Sequence, residues 1–385
     1  MKQESASYSR LVFPGWPIFL LLLTTSCMTG RVGSPKSGII PQTVLKLIPS
    51  ENNPRNSEGD FVTLKNGSVL FVYTHYTGSS TSDHAPAYLA GRISADGGKS
   101  WGQEERVIVE NEGEMNVMSV SLLRLQNGKI ALFYLKKNSR TDCIPYMRIS
   151  EDEAETWSDP IPCITGRKGY FVLNNDRVIQ LRNGRLLMPV ALHAIPGADW
   201  RNKADLYCYY SDDNGNSWKA GGQVPDTTSV VTQEPGVIEM KGGRIMMYIR
   251  ASGGFQHLSF SGDQGETWSP VQSSQIVSPL SPATIEKIPE TGDWILVWNN
   301  NDGSVAETKG ERTPLTVAVS DDEGKTWNKV KNIETDPDGW YCYTAIHFTD
   351  PENLLLGYCA GSQSAKSHLS VTNVTRIGKK WLYRD

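Results

Sequence analysis

Two residues with reactive side chains, Glu234 and Tyr343, each stand nine positions before a turn residue, Gly243 and Glu352 respectively, that introduces a short apolar run. A carboxylate and a phenol at the same relative site in two repeats occupy equivalent strands and share one end of the fold. Arg250 lies seven residues after Gly243, where its apolar run ends. A guanidinium remains charged and presents a planar fork of donors, which suits capture of an acidic ligand. No Gly-x-Ser-x-Gly, phosphate-loop or Gly-x-Gly-x-x-Gly motif occurs. Serine hydrolase, nucleotide and dinucleotide readings therefore have no support.

The elements that must position these residues are repeats. Ser-x-Asp-x-Gly-x-Ser/Thr-Trp occurs at Ser94–Trp101, Ser211–Trp218, Ser261–Trp268 and Ser320–Trp327, with a fifth copy, Ser150–Trp157, carrying Ala154 in place of Gly. Asp and Ser side chains bond backbone groups across a tight turn, Gly takes a positive φ, and Trp packs at the hairpin base. The motif thus serves folding, with no part in catalysis. Six apolar runs form a second repeat, following Gly67, Gly128, Gly184, Gly243, Gly292 and Glu352 at spacings of 61, 56, 59, 49 and 60. Each reads as a strand buried on both faces. Six units of about sixty residues predict an all-β fold, a six-bladed β-propeller of four-stranded antiparallel blades. The sixth unit has no Ser-x-Asp turn and is expected to close with residues near Thr43–Ile48.

Composition agrees and excludes other classes. The 385 residues carry 38 Lys+Arg against 42 Asp+Glu, a net charge of −4, which argues against nucleic acid or bulk anionic membrane as partner. Lys2 and Arg10 precede an apolar stretch, Leu11–Leu23, that is too short and too broken by Pro14 and Pro17 to span a bilayer. Residues 1–26 read as a signal peptide ending before Cys27, the expected lipidation site, with 27–36 as linker and 37–385 as the propeller. A plain signal peptide is the alternative. The expected location is the bacterial cell envelope or outside the cell, with membrane contact only through that lipid. Five other cysteines, Cys143, Cys163, Cys208, Cys342 and Cys359, show neither C-x-x-C nor zinc spacing and read as buried apolar residues.

The repeats and the polar set resemble the sialidase (neuraminidase) superfamily with its BNR/Asp-box repeats, over essentially the whole chain after the leader. The resemblance implies three arginines that hold a substrate carboxylate. Arg55, in Asn-Pro-Arg-Asn-Ser-Glu-Gly-Asp, matches the first. Arg250, after Glu234-Pro-Gly-Val-Ile-Glu-Met-Lys-Gly-Gly-Arg244, matches the second, and Arg312, in Glu-Arg-Thr-Pro-Leu-Thr-Val-Ala-Val-Ser, the third. It implies Tyr343, followed by Thr344, as nucleophile, Glu234 as its base and Asp83 as acid/base. The sequence departs from the family at Arg-Asn-Ser, where Arg-Ile-Pro is usual. Gly357-Tyr358-Cys359-Ala360 also stands where a glutamate often supports the first arginine, leaving Glu58 as the substitute.

The chemistry is coherent. A carboxylate on the anomeric carbon repels an Asp or Glu nucleophile, whereas a tyrosine avoids that clash and needs a base because its ordinary pKa is about 10. The expected activity is a retaining exo-glycosidase that removes terminal sialic acid or a related ulosonic acid from glycans. A non-catalytic propeller binding acidic glycans, or a related glycosidase or lyase on another acidic sugar, are the alternatives. Tyr341 is the rival nucleophile and Asp60 the rival acid. Asn174, Asn175, Asp176 and Arg177 form a polar cluster near the same face, with Asp176 expected to contact substrate. Met115, Met118, Trp200 and Phe255 are candidates for an acyl pocket, and His84 and His257 for the mouth of the central funnel. No cofactor is expected, no acidic loop has a calcium-ligand pattern, and a monomer is expected.

Overall fold

The computed structural model describes residues 40–384. The expected leader, the Cys27 anchor and the 27–36 linker lie outside them. Within them the chain is all-β apart from a three-residue turn of 3-10 helix, Ala306–Thr308, and one short helix, Lys379–Tyr383.

The six apolar runs form the strands Val69–Tyr76, Ile130–Ser139, Leu186–Ala194, Ile245–Ala251, Trp294–Trp298 and Asn353–Ser362. Each has a strand bonded on either edge, and its side chains pack into clusters shared with neighbouring sheets. Burial on both faces is what a near-continuous apolar sequence requires. Asn56–Thr63, Val69–Tyr76, Ala87–Ser94 and Arg106–Val109 make one four-stranded antiparallel sheet. Two more run over Thr232–Val277 and Thr284–Glu334, each in simple sequence order. Residues 116–220 form a nine-stranded sheet in which two antiparallel groups join through a single parallel bridge, Tyr170 to Cys143. The last sheet begins Gly339–Asp350, Asn353–Ser362 and Thr372–Gly378, then takes Gln42–Leu47 as its outer edge. The expected use of N-terminal residues to complete the sixth unit is therefore seen.

The five Ser-x-Asp turns share one hydrogen-bond scheme. The first serine hydroxyl accepts the N–H four residues on, at Gly98, Ala154, Gly215, Gly265 and Gly324, each at 2.8 Å. The aspartate accepts the N–H of the following Ser or Thr at 2.9 Å in every copy. Ala154 holds φ +67 at the site where the other copies have glycine at +79 to +92. Trp101 packs near Phe61 and Phe71, with ring centroids 6.2 Å from each.

The first strand of a sheet has an unpaired edge, and such an edge needs covering. Here buried polar side chains cover it. Asp60 accepts the Leu122 N–H at 2.7 Å, and Asp176 accepts the Ile346 N–H at 2.9 Å. Asn175 donates to the carbonyls of Gly59 and Tyr343, at 3.0 and 2.9 Å. Arg177 donates to Thr284 and to the Ala283 carbonyl, and Thr284 donates to the Thr344 carbonyl at 2.6 Å. These bonds join the sheets that begin at Asn56, Asn116, Thr284 and Gly339, with residues 175–177 as the hub, and a cavity lined by Glu58, Ser119, Asn174 and Tyr343 opens beside them.

Candidate active site

A β-bulge on each of four strands aims a side chain at this cavity. Register shifts interrupt Asn56–Thr63, Asn116–Arg124, Thr232–Glu239 and Gly339–Asp350. At each shift one residue adopts a left-handed conformation: Glu58 (φ +54), Ser119 (+56), Glu234 (+46) and Tyr343 (+55). All four line a cavity of about 410 Å³. Left-handed backbone is costly for residues other than glycine, and it persists where the surrounding fold holds it.

Glu234, Tyr343 and Arg250 form a triangle. The Tyr343 hydroxyl donates to Glu234 Oε1 at 3.3 Å, Arg250 Nη1 donates to the same oxygen at 2.6 Å, and Arg250 Nη1 lies 3.4 Å from the Tyr343 oxygen. Arg312 lies with its guanidinium 5.5 Å from the Tyr343 ring centre and 5.0 Å from that of Trp340. Burial opposes ionisation of Glu234, but Arg250 outweighs it, and the carboxyl is held below its ordinary value. Tyr343 is pushed up, first by burial and then by the Glu234 charge, with Arg250 and Arg312 opposing. At neutral pH the pair is a carboxylate and a neutral phenol already hydrogen-bonded to it, the arrangement of a nucleophile with its base.

On the opposite wall Arg55 is buried behind two acids. Its Nη2 meets Glu58 Oε1 at 3.0 Å and its Nη1 meets Asp83 Oδ1 at 2.5 Å. Glu58 therefore supplies the support that the sequence left open, and Ser119 donates to its other oxygen. Burial raises the Asp83 carboxyl, but Arg55 more than offsets it, with Lys137 and His84 adding to the effect, and Asp83 is held low. Lys137, 1% exposed, donates to the Asp83 carbonyl at 2.6 Å and to Met118 Sδ at 3.1 Å.

The structure brings Glu234, Tyr343, Asp83, Arg250 and Arg312 together on the cavity wall. Arg55 joins them only through Glu58 and Asp83, which stand between it and the cavity. Asp176 is a correction: it does not line the cavity, because its carboxylate serves the Ile346 N–H on the strand edge. Tyr341 is removed as a rival, since the bulge at Tyr343 breaks the strand alternation and leaves Tyr341 in the core, 6.4 Å from the Tyr358 ring. Asp60 is likewise spent on edge N–H groups. Met118 and Trp200 line the cavity, whereas Met115, Phe255, His84 and His257 do not. The five described cysteines are buried, as expected, and none forms a disulfide. The sequence reading did not single out Ser119, Lys137, Tyr170, His193 and Trp340, all of which face the cavity. Among the described residues no group of His, Cys, Asp and Glu is arranged to hold a metal ion.

Fold and site together define an all-β repeat protein whose cavity holds a tyrosine hydrogen-bonded to a glutamate beside two arginines. The chain belongs to the sialidase/BNR-repeat superfamily, its residues 76–354 matching the BNR repeat-like domain family. It is 27% identical to a sialidase of Paraclostridium sordellii over 234 residues, covering 54% of this chain and 55% of that one. It is 26% identical to a sialidase of Bacteroides fragilis over 232 residues, covering 57% of this chain and 39% of that one. The chain thus spans about half or less of these relatives' lengths. Among solved structures, a Hadza microbial sialidase superimposes with a TM-score of 0.69 at 18% identity, over 85% of this chain and 66% of that one.

Proposed function

We propose that this chain is a six-bladed β-propeller and a retaining exo-glycosidase that removes terminal sialic acid, or a related ulosonic acid, from glycans. The Glu234–Tyr343–Arg250 triangle carries the reading, with the sialidase relatives in support. Arg250 and Arg312, with Arg55 behind Asp83, supply the positive charge for the sugar carboxylate. Tyr343 attacks the anomeric carbon and passes its proton to Glu234. Asp83 protonates the leaving glycosidic oxygen. In the second half Asp83 takes a proton from water, which displaces the tyrosyl oxygen, and Glu234 returns the proton to Tyr343. Two inversions give net retention. The chain is further proposed to act as an exported monomer, tethered at Cys27.

Release of fluorophore from an α-linked aryl sialoside, by wild type and Tyr343→Phe, tests the activity. Strong release lost in the variant is expected. Equal release by both would remove Tyr343 from the mechanism. A variant and wild type that bind sialylated glycans alike, with no release by either, would identify a binding protein.

A further inference from the structure

Arg55 has five N–H donors, and four are taken. Nε donates to Ser57 Oγ at 3.0 Å, Nη1 to the Thr81 carbonyl at 3.1 Å and to Asp83 Oδ1 at 2.5 Å, and Nη2 to Glu58 Oε1 at 3.0 Å. The residue is 2% exposed, and it packs with its guanidinium 4.5 Å from the Tyr76 ring centre. A carboxylate arriving in the cavity cannot grip this arginine through both terminal nitrogens while Asp83 holds Nη1.

Of the two acids on Arg55, only Asp83 is free to leave. Glu58 is 6% exposed and is held on its far oxygen by Ser119. The Asp83 side chain is 56% exposed. Its main chain, by contrast, is pinned. The Asp83 carbonyl accepts from Lys137 Nζ at 2.6 Å and from Asn116 Nδ2 at 2.9 Å, and Asn116 also reaches the Ala85 carbonyl at 2.7 Å. Asn116 and Lys137 are both buried. A rotation of the Asp83 side chain therefore frees one Nη1 donor of Arg55 without any movement of the loop.

We propose, resting on the glycosidase reading above, that a ligand carboxylate displaces Asp83 from Arg55 and that Asp83 takes up a proton from solvent as it leaves. Binding of the sugar acid then arms the acid that its own cleavage requires. The groups facing Asp83 make the direction clear. Arg55 and Lys137 are the cations, Glu58 is the neighbouring acid, and Tyr76 and Tyr170 are phenols pushed up mainly by burial. His84, next in the chain, is lowered by burial and by Lys137. Asp83 is low at present because Arg55 is its partner. Replacing that partner by a second carboxylate reverses the balance. The proton comes from bulk solvent, goes to the glycosidic oxygen in the first half-reaction, and is replaced by one from the attacking water. It returns to solvent when the product leaves and Asp83 reclaims Arg55.

Calorimetric titration of the whole protein with the 2,3-didehydro analogue of N-acetylneuraminic acid tests the exchange, near pH 6 in two buffers of different ionisation enthalpy. Wild type is expected to take up close to one proton per ligand, Asp83→Asn none, and Glu58→Gln the same as wild type. Wild-type affinity is expected to fall as pH rises, by about tenfold per pH unit at its steepest, while Asp83→Asn stays nearly flat. Asp83→Ala, which cannot occupy Arg55, is expected to bind the analogue more tightly than wild type near pH 7. Binding without proton uptake, or with equal uptake in Asp83→Asn, overturns the exchange and leaves the glycosidase reading intact. Uptake lost only in Glu58→Gln assigns the proton to Glu58 and also overturns it. Failure of wild type to bind the analogue overturns the sialic-acid reading and the exchange together.

Discussion

Tyr343 and Glu234 belong to different sheets, yet each is the left-handed residue of a bulge in the first strand of its sheet, and their side chains meet at 3.3 Å. The two bulges turn a pair of edge strands into a device that places a phenol on a carboxylate. Neither residue would reach the other from a regular strand, where alternation sends neighbouring side chains to opposite faces.

Glu234→Gln keeps the shape of this contact and removes the proton acceptor. Turnover of an activated aryl sialoside is expected to fall by about 10²- to 10⁴-fold, the usual contribution of a positioned base. Single-turnover kinetics check the assignment, because formation of the covalent intermediate should slow. An unchanged formation rate would place the base elsewhere.

Gly236 tests whether the bulge itself matters. It lies two residues after Glu234, and a Cβ there would meet the buried Tyr248 ring at 2.2 Å. Gly236→Ala is expected to cost about 1–3 kcal/mol, the range for overpacked cores. It should also lower kcat, since displacing Tyr248 shifts the strand that carries Glu234. Thermal denaturation alongside steady-state kinetics separates the two effects. A destabilised variant with full kcat would show that the bulge tolerates movement.

The legible part of the site follows from the same geometry. The count of nine before a turn residue marks the bulge, and applied to Gly67 and Gly128 it reaches Glu58 and Ser119 as well as Glu234 and Tyr343. That signal was present in the sequence for all four. Applied to Gly184, the count reaches Asn175, one residue before Asp176; these two side chains serve strand edges, while the neighbouring Asn174 lines the cavity. Lys137 and Tyr170 were not legible. They belong to strands other than the four that carry Glu58, Ser119, Glu234 and Tyr343, and only the pairing of their sheet brings them to the cavity. Arg55 was found by resemblance, but its enclosure by Glu58 and Asp83 depends on loop conformation that no spacing encodes.

Lys137 offers a test of positioning free of a stability penalty. A buried ammonium is costly, and burial lowers this one's proton affinity. Lys137→Met is expected to leave Tm unchanged or higher. Turnover should nevertheless fall about tenfold, because the Asp83 carbonyl loses one of its two pins. Removing the cation should also move the Asp83 limb of the pH–rate profile upward. A variant with wild-type kcat and an unshifted profile would show that Asn116 alone positions the loop.

The strand edges make stability depend on pH in a direction opposite to ordinary acid unfolding. Asp176 and Glu286 are pushed up to about 6 and about 8, in both cases first by burial, with the Asp176 charge adding to the effect on Glu286. Each proton is held more tightly in the folded chain than in the unfolded one, so the contribution is complete below the unfolded values, near 4. It is lost as pH rises through the folded values. Wild type is therefore expected to lose stability between about pH 5 and 8, on the order of 1 kcal/mol from these groups once their partial contact with solvent is allowed for. Glu286→Gln cannot ionise and should flatten the decline. Denaturant titrations at pH 5 and pH 8.5 measure the difference. If the variant and wild type decline in parallel, Glu286 is already ionised in the fold, and Arg177, whose charge opposes its rise, is compensating it.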